Sequence, residues 1–556
     1  MARLNSPSST TLEGAAESQP IEQNTKISYV RGMLDLAGVT DAVLNHHYVG
    51  QGTEESPYIV EFLPDDPWNP VGFSRSRKWL ITIVQAVATL SVSFASSAFS
   101  GGISTVLTEF RVSQEVAILG VSMFVLGFAI GPLIWAPLSE IYGRQMLFFI
   151  TYMALTAFEA GAAGAPNIES LVILRFLAGA FGSSPLTNAG AVIADMFKAE
   201  ERGIAMGIFA MAPFLGPAIG PIAGGFLGEK HGWRWVQGMI AIFNGVLWIV
   251  STVVYPETYS PVILKKRAKI LSEKTGKAYM SKLDIGQPQM AISAQLKAAL
   301  VRPWVLLFAE PIVLITSVYM AIIYGTLYLC FAAFPIVYQM GRGWSPGIGG
   351  LAFIGIAVGM TIAVAGVIFD NKRYTDTAAK HGGNPPPEAR LPPGMVGSLL
   401  VPIGMFWFAW TNSSDIHWSV SIIGSGVFGS GIVLIFLSLM AYLVDTYVIY
   451  AASVLAANSV LRSVFGAVFP LFTPYMYEDL GIHWASSIPA FLAAACVPFP
   501  FLFYYYGDRI RARGKYALEA ETLLNRTRSK RGDESEEGLN REEIRLERIM
   551  SNTHTV

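Results

Sequence analysis

Apolar residues gather along this chain into long runs separated by short polar breaks. A helix crossing a hydrocarbon core of about 30 Å needs about 20 mostly apolar residues. Such runs lie near residues 79–98, 115–136, 146–163, 168–193, 204–227 and 236–255. A second set lies near 305–338, 347–369, 395–411, 419–443, 449–474 and 485–506. Inside lipid every backbone amide must find an internal partner, and no ten-residue alternation suggests a barrel, so each run predicts a helix. The seventh run is overlong and is expected to begin as a surface helix at Arg302–Pro311. The expected fold is an all-α membrane protein, with twelve transmembrane helices in two pseudo-symmetric six-helix bundles.

Three polar stretches complete the expected domain plan. Residues 1–78 read as a disordered cytoplasmic tail, 79–255 as the first bundle, 256–304 as a cytoplasmic linker, 305–507 as the second bundle and 508–556 as a charged cytoplasmic tail. The first tail is rich in Ser, Glu, Gln and Pro, and the last contains TRSKRGDESEEGLNREEIRLER, compositions that bury too little apolar surface to fold. The linker carries Lys265, Lys266, Arg267, Lys269, Lys274, Lys277 and Lys282, the pattern of a basic helix on the cytoplasmic lipid surface.

Composition agrees: 52% of residues are hydrophobic and only 14% charged, where soluble domains have about a quarter charged. The net charge of -1 gives no reason to expect a nucleic-acid partner. Cys330 and Cys496 both lie in apolar runs, which argues against a disulfide framework or thiolate metal site. The N-terminus lacks the basic-then-apolar pattern of a cleaved signal, so the first span is expected to target the chain. Loop charge sets the orientation. With both termini cytoplasmic, the outer loops hold only Arg111, Lys230, Arg234 and Arg342. The inner side then holds Arg144, Lys198, Arg202, the linker cluster, Lys372, Arg373, Lys380 and Arg390.

Several features carry candidate chemistry. The turn after span 2 reads GPLIWAPLSEIYGR, where Glu140 and Arg144 are placed to lock neighbouring cytoplasmic helix ends, or to form an ordinary surface pair worth about 0–1 kcal/mol. Span 4 puts Arg175 within the membrane, where a guanidinium marks a partner or pathway unless it snorkels to the interface. Its cytoplasmic end carries Asp195. Span 5 reads GIFAMAPFLGPAIGPIAGGF, with small residues at Ala212, Gly216, Gly220 and Gly224 interleaved with Pro213, Pro217 and Pro221, the signature of a close-packed, bent helix. Glu159 in span 3 is an intramembrane acid suited to carrying a proton, unless it is simply wet. Gln85, Asn188, Tyr319, Tyr324, Tyr328 and Asn458 are candidates for a substrate cavity with aromatic walls and sparse polar groups, although packing explains any one of them equally well. Asn412-Ser413-Ser414 matches a glycosylation pattern and is expected to be unused, because its outer loop is very short.

GPLIWAPLSEIYGR, LRFLAGAFGSSPLTNAGAVIADMF, GPAIGPIAGG with GWRW, PETYSPVIL, PEARLPP and YLVDTYVIYAASVLAANSVLRS together resemble the fungal twelve-span drug:proton antiporters of the major facilitator superfamily, closest to their multidrug and polyamine branch. The likeness spans about residues 65–507, beginning with DDPWNP. It implies the major facilitator fold, a conformational gate at Glu140 and Arg144, proton coupling at Arg175, and an antiporter motif at Gly216, Pro217 and Gly220. Ala136 stands where the general motif has glycine, and Ala332 and Ala333 stand where relatives often carry a glutamate, which weakens a polyamine assignment.

The two-fold relation of such halves pairs spans 2–4 with spans 8–10. It predicts two equivalent cytoplasmic clusters, Glu140–Arg144–Asp195 and Asp370–Arg373–Asp445. The expected activity is proton-coupled efflux of small amphipathic compounds (drugs or toxins) by alternating access. A polyamine or dedicated secondary-metabolite transporter and a non-transporting membrane receptor stay open as alternatives. The expected partners are substrate, protons and the lipid bilayer, with no cofactor, no metal and no enzymatic site. A monomer in the plasma membrane is expected, the vacuolar membrane being the alternative.

Overall fold

The computed structural model describes residues 35–198, 201–285, 292–382 and 385–522. The expected disorder of 1–34 and of the charged tail beyond 522 falls outside these residues, whereas residues 508–522 of that tail are ordered, with the Tyr516 amide donating to Glu310 Oε1 at 2.8 Å and Ala517 and Ala520 buried. Spans 1–6 are Arg75–Phe110, Gln114–Tyr142, Arg144–Ala163, Ile168–Met196, Arg202–His231 and Trp233–Val254. Spans 7–10 are Pro311–Met340, Pro346–Lys380, Pro392–Thr411 and Trp418–Thr446. The helical stretch Val448–Arg511 has 64 residues, which at 1.5 Å per residue is about 96 Å, three times the hydrocarbon thickness. It is two spans. Gly481 breaks it at φ 73°, ψ 166°, a conformation closed to residues with a Cβ, so span 11 is 448–480 and span 12 is 482–511. The twelve predicted runs and these helices coincide, the helices being longer because their polar ends reach past the core.

Packing repeats between the halves. Spans 1 and 5, 2 and 4, and 3 and 6 are neighbours in the first half, as spans 7 and 11, 8 and 10, and 9 and 12 are in the second. Span 5 lies along span 1 because its small residues let the backbones touch. A Cβ at Gly216 would stand 2.6 Å from Ser93 Cβ and 2.7 Å from the Leu90 carbonyl oxygen. Across the interface, span 2 meets span 11 and span 5 meets span 8. At the end of the bundle away from the linker the Glu229 carboxylate accepts from the Gly347 amide at 2.9 Å, and Glu115 lies beside Tyr475. The overlong seventh run divides at Glu310 into a preceding helix, Ile292–Ala309, and span 7.

Two expectations about the first tail and the linker are corrected. Residues 35–74 are not a disordered tail. Their strand β1 (Tyr58–Val60) pairs in parallel with β2 (Tyr279–Ser281) of the linker. Val43, Tyr48 and Val60 pack on Leu264, Ala268 and Leu271 of the linker helix Ser260–Thr275. Arg267 is buried, ion-paired to Asp66 Oδ2 at 2.5 Å and donating from Nε to the Ala37 carbonyl at 2.8 Å. The linker helix is thus the spine of a small protein core rather than only a basic surface lying on lipid. Its apolar partners are single residues about 200 positions away, without any run that a window scan detects.

Candidate functional site

Arg175 sits two turns into span 4 and is wholly buried. It does not snorkel. Its Nε donates to the Gly120 carbonyl at 2.9 Å, and Nη1 and Nη2 both donate to the Ala95 carbonyl at 3.0 Å. Each carbonyl accepts through the lone pair its helix leaves unused. Nη1 also lies 3.2 Å from Oε1 of the equally buried Glu159. Gln237 Nε2 donates to Glu159 Oε2 at 2.8 Å. The rings of Phe99 and Phe124 flank the guanidinium with centroids at 5.0 and 4.3 Å. One side chain therefore joins spans 1, 2, 3, 4 and 6, and its charge is balanced by one carboxylate. Of the two expected proton-coupling residues, the structure brings both together.

At the end of the bundle that carries the linker, Arg144 Nε is 3.4 Å from Asp195 Oδ2, and its Nη1 contacts Ser139 Oγ. Among the described residues Glu140 forms no ion pair, and it is exposed. The four-residue spacing fails because Gly143, at φ 100°, reverses the chain between them. Gly143 also leaves span 3 without a side-chain cap. Glu257 supplies one from after span 6: its Oε1 accepts from the amide of Arg144 at 3.0 Å and its Oε2 from that of Gln145 at 3.3 Å. The amides of Thr258 and Tyr259 also donate to Oε1, at 3.0 and 2.9 Å. A carboxylate at a helix N-terminus meets the positive end of the dipole. Burial pushes the Glu257 carboxyl above its usual range, against these four amides.

The second cluster is arranged differently from the expectation. Arg373 pairs with Asp370 at 2.6 Å, but Asp445 pairs with Arg390 Nε at 2.8 Å. Arg390 lies two residues before span 9 as Arg144 begins span 3, so Arg390–Asp445 is the counterpart of Arg144–Asp195. Arg373 instead donates to the Ala389 carbonyl at 2.9 Å. Glu388 pairs with Arg511 at the end of span 12, as Glu257 ties the end of span 6 to span 3. All these contacts stay within one half.

Residues 85–470 match the Major Facilitator Superfamily. The chain belongs to the major facilitator superfamily. It is 61% identical over 502 residues to the MFS-type efflux pump MFS2 of Trichophyton rubrum, covering 90% of this chain and 84% of that protein. It is 57% identical over 518 residues to the major facilitator superfamily multidrug transporter mdrA of Aspergillus fumigatus, covering 93% and 85%. The efflux pump FUBT of Fusarium oxysporum is 59% identical over 491 residues, covering 88% and 83%. Among solved structures, the proton:xylose symporter XylE bound to 6-bromo-6-deoxy-D-glucose aligns with TM-score 0.54 at 16% identity, covering 78% of this chain and 97% of that one. That likeness concerns the fold.

In this major facilitator protein the expected cavity residues separate. Asn188 belongs to the Arg144 network: its Oδ1 accepts from Ser139 Oγ at 2.9 Å and from Arg144 Nη1 at 3.4 Å. Tyr324 and Tyr328 are buried at the interface between halves, where Tyr324 OH donates to Tyr328 OH at 3.3 Å and Tyr328 OH bonds Ser96 Oγ at 2.8 Å. Asn458 Nδ2 donates to Ser317 Oγ at 3.4 Å, while its Oδ1, Gln85 Nε2 and Tyr319 OH are buried without partners. Asn412 donates to Ser486 Oγ at 3.2 Å and is buried, which withholds its amide from glycosylation. Sequence reasoning missed Glu257, Arg390 and Arg462. The first two lie in PETYSPVIL and PEARLPP, and the third in ANSVLRS, where a charge inside an apolar run was itself the signal.

Proposed function

We propose that this protein is a proton-coupled efflux transporter, exporting small amphipathic compounds from the cytoplasm by rocking its two halves in turn. Its place is the plasma membrane, with both termini cytoplasmic and a monomer as the working unit. The observation that carries the reading is the buried Glu159–Arg175 pair. A proton arriving at Glu159 leaves the Arg175 charge unbalanced in a wholly buried site, an arrangement costly enough to favour repacking of the spans it joins. Because Arg175 touches carbonyls of spans 1 and 2, that repacking reaches helices at the interface between halves.

The efflux direction is supported by the names of the relatives, and a polyamine substrate is disfavoured because span 7 carries no acid between Pro311 and Met340. The two cytoplasmic clusters act as clasps that keep the inner end of each half rigid while the halves move. The test is steady-state accumulation of a panel of fluorescent amphiphiles in cells expressing the protein, with and without a protonophore. Lower accumulation that the protonophore abolishes is expected. Equal accumulation with and without the protein, across the panel, would overturn the reading.

A further inference from the structure

Arg462 lies 11 residues into the helix that starts at Ala451, about 17 Å along its axis and therefore near the midplane of a core about 30 Å thick. It shares a face with Asn458, one turn earlier. Its guanidinium stands 4.9 Å from the Tyr324 ring centroid and 5.6 Å from that of Phe436, with Nε buried and unpartnered. Among the described residues no carboxylate pairs with it and no acceptor receives a hydrogen bond from it. Arg175, by contrast, is matched by Glu159 and two carbonyls. A half-buried guanidinium at the midplane with aromatic walls and no carboxylate beside it has the donors and the charge that an organic anion requires.

We propose that Arg462 recognises the carboxylate of an anionic amphipathic substrate, whose ring or chain lies against Tyr324 and Phe436. This rests on the transport reading above and narrows it to a substrate class. The planar fork of arginine takes a carboxylate through two charge-assisted hydrogen bonds, which a neutral amide cannot match and a cation cannot use. Asn458 Oδ1, unpartnered on the same face, is free to accept from a substrate hydroxyl. The site is also wired to the first half. Tyr324 bonds Tyr328, Tyr328 bonds Ser96, and the Ser96 carbonyl is 3.5 Å from Arg175 Nη2. An anion that shifts Tyr324 thus reaches the Glu159–Arg175 pair through three hydrogen bonds.

The test uses purified full-length protein in nanodiscs and radiolabelled naphthaleneacetic acid at neutral pH, displaced by unlabelled acid or by naphthaleneacetamide. The acid should displace at least about tenfold better than the amide, and Arg462→Gln should bring the two to parity while Arg462→Lys restores part of the preference. A purely structural Arg462 would weaken both competitors alike and keep their ratio, which would overturn the proposal, as would wild-type protein that binds neither. Proteoliposomes exporting ethidium under a proton gradient separate the two levels. Ethidium export without naphthaleneacetate binding refutes the anion site and leaves efflux standing. Arg462-dependent binding without proton-driven export of either solute supports the site and refutes the transport reading.

Discussion

Arg175 donates to carbonyls of spans 1 and 2 and to a carboxylate of span 3 from a single planar group. Lysine keeps the charge but has no fork that spans those acceptors, and each buried acceptor left unmet costs about 1–3 kcal/mol. Arg175→Lys is therefore expected to reach the membrane yet lose about tenfold or more of proton-driven export in proteoliposomes. Wild-type export would remove Arg175 from the coupling site. Glu257 makes a pH prediction. Its carboxyl is raised by burial, so the folded state holds its proton more tightly than the unfolded chain does. Its stabilising contribution is then full at pH below the ordinary carboxylate range and falls as pH rises through the raised value. Glu257→Gln cannot titrate, so the Tm of the wild type should decline relative to that of the variant as pH rises from acid toward neutral. Parallel curves would show that Glu257 titrates as an exposed acid. The pairing of Arg175 with Glu159 was within reach of sequence reasoning because both charges interrupt apolar runs. So was the pairing of Arg144 with Asp195, but Glu257 at the amide of Arg144 and Arg390 at Asp445 were not. Glu257 and Arg390 reach them from loops 113 and 55 positions away, and spacing within one segment carries no such information.

Span 5 is held to span 1 by contact between backbones, not by interlocking large side chains. Gly216→Leu would drive a side chain into Ser93 and the Leu90 carbonyl, and overpacking of this kind costs about 1–3 kcal/mol or more. The expected result is a Tm several degrees lower, together with impaired transport. An unchanged Tm would mean that the two helices are not in contact at this level. Elements of this kind were legible because twenty apolar residues are demanded by the bilayer itself, whatever packs beside them. The strand pair Tyr58–Val60 with Tyr279–Ser281 was not. Three-residue strands leave no period to read, and the buried Arg267 counts toward a basic surface in any reading that lacks Asp66.

Among the described residues, polar links between the halves include the Ser96–Tyr328 bond within the bundle and, at the end that the proposed orientation makes outer, Glu229 with Gly347, where Glu115 also lies beside Tyr475, whereas each Arg–Asp cluster at the opposite end is confined to one half. If the halves rock, the outer links must part in every cycle. Cysteines introduced by Glu115→Cys and Tyr475→Cys, joined by a short cleavable thiol reagent, should cut transport about tenfold, and reductant should restore it. Native Cys330 and Cys496 are buried and do not compete for the reagent. Undiminished transport by the joined protein would mean that the outer ends never separate. The central claim is that movement of the halves is coupled to protons through the Glu159–Arg175 pair. It is tested most directly by Glu159→Gln in proteoliposomes, with counterflow exchange of a transported amphiphile and proton-driven uphill accumulation measured side by side. The account predicts that exchange persists while accumulation, and the proton flux that accompanies it, is lost. Accumulation at the wild-type rate with unchanged proton flux would contradict it.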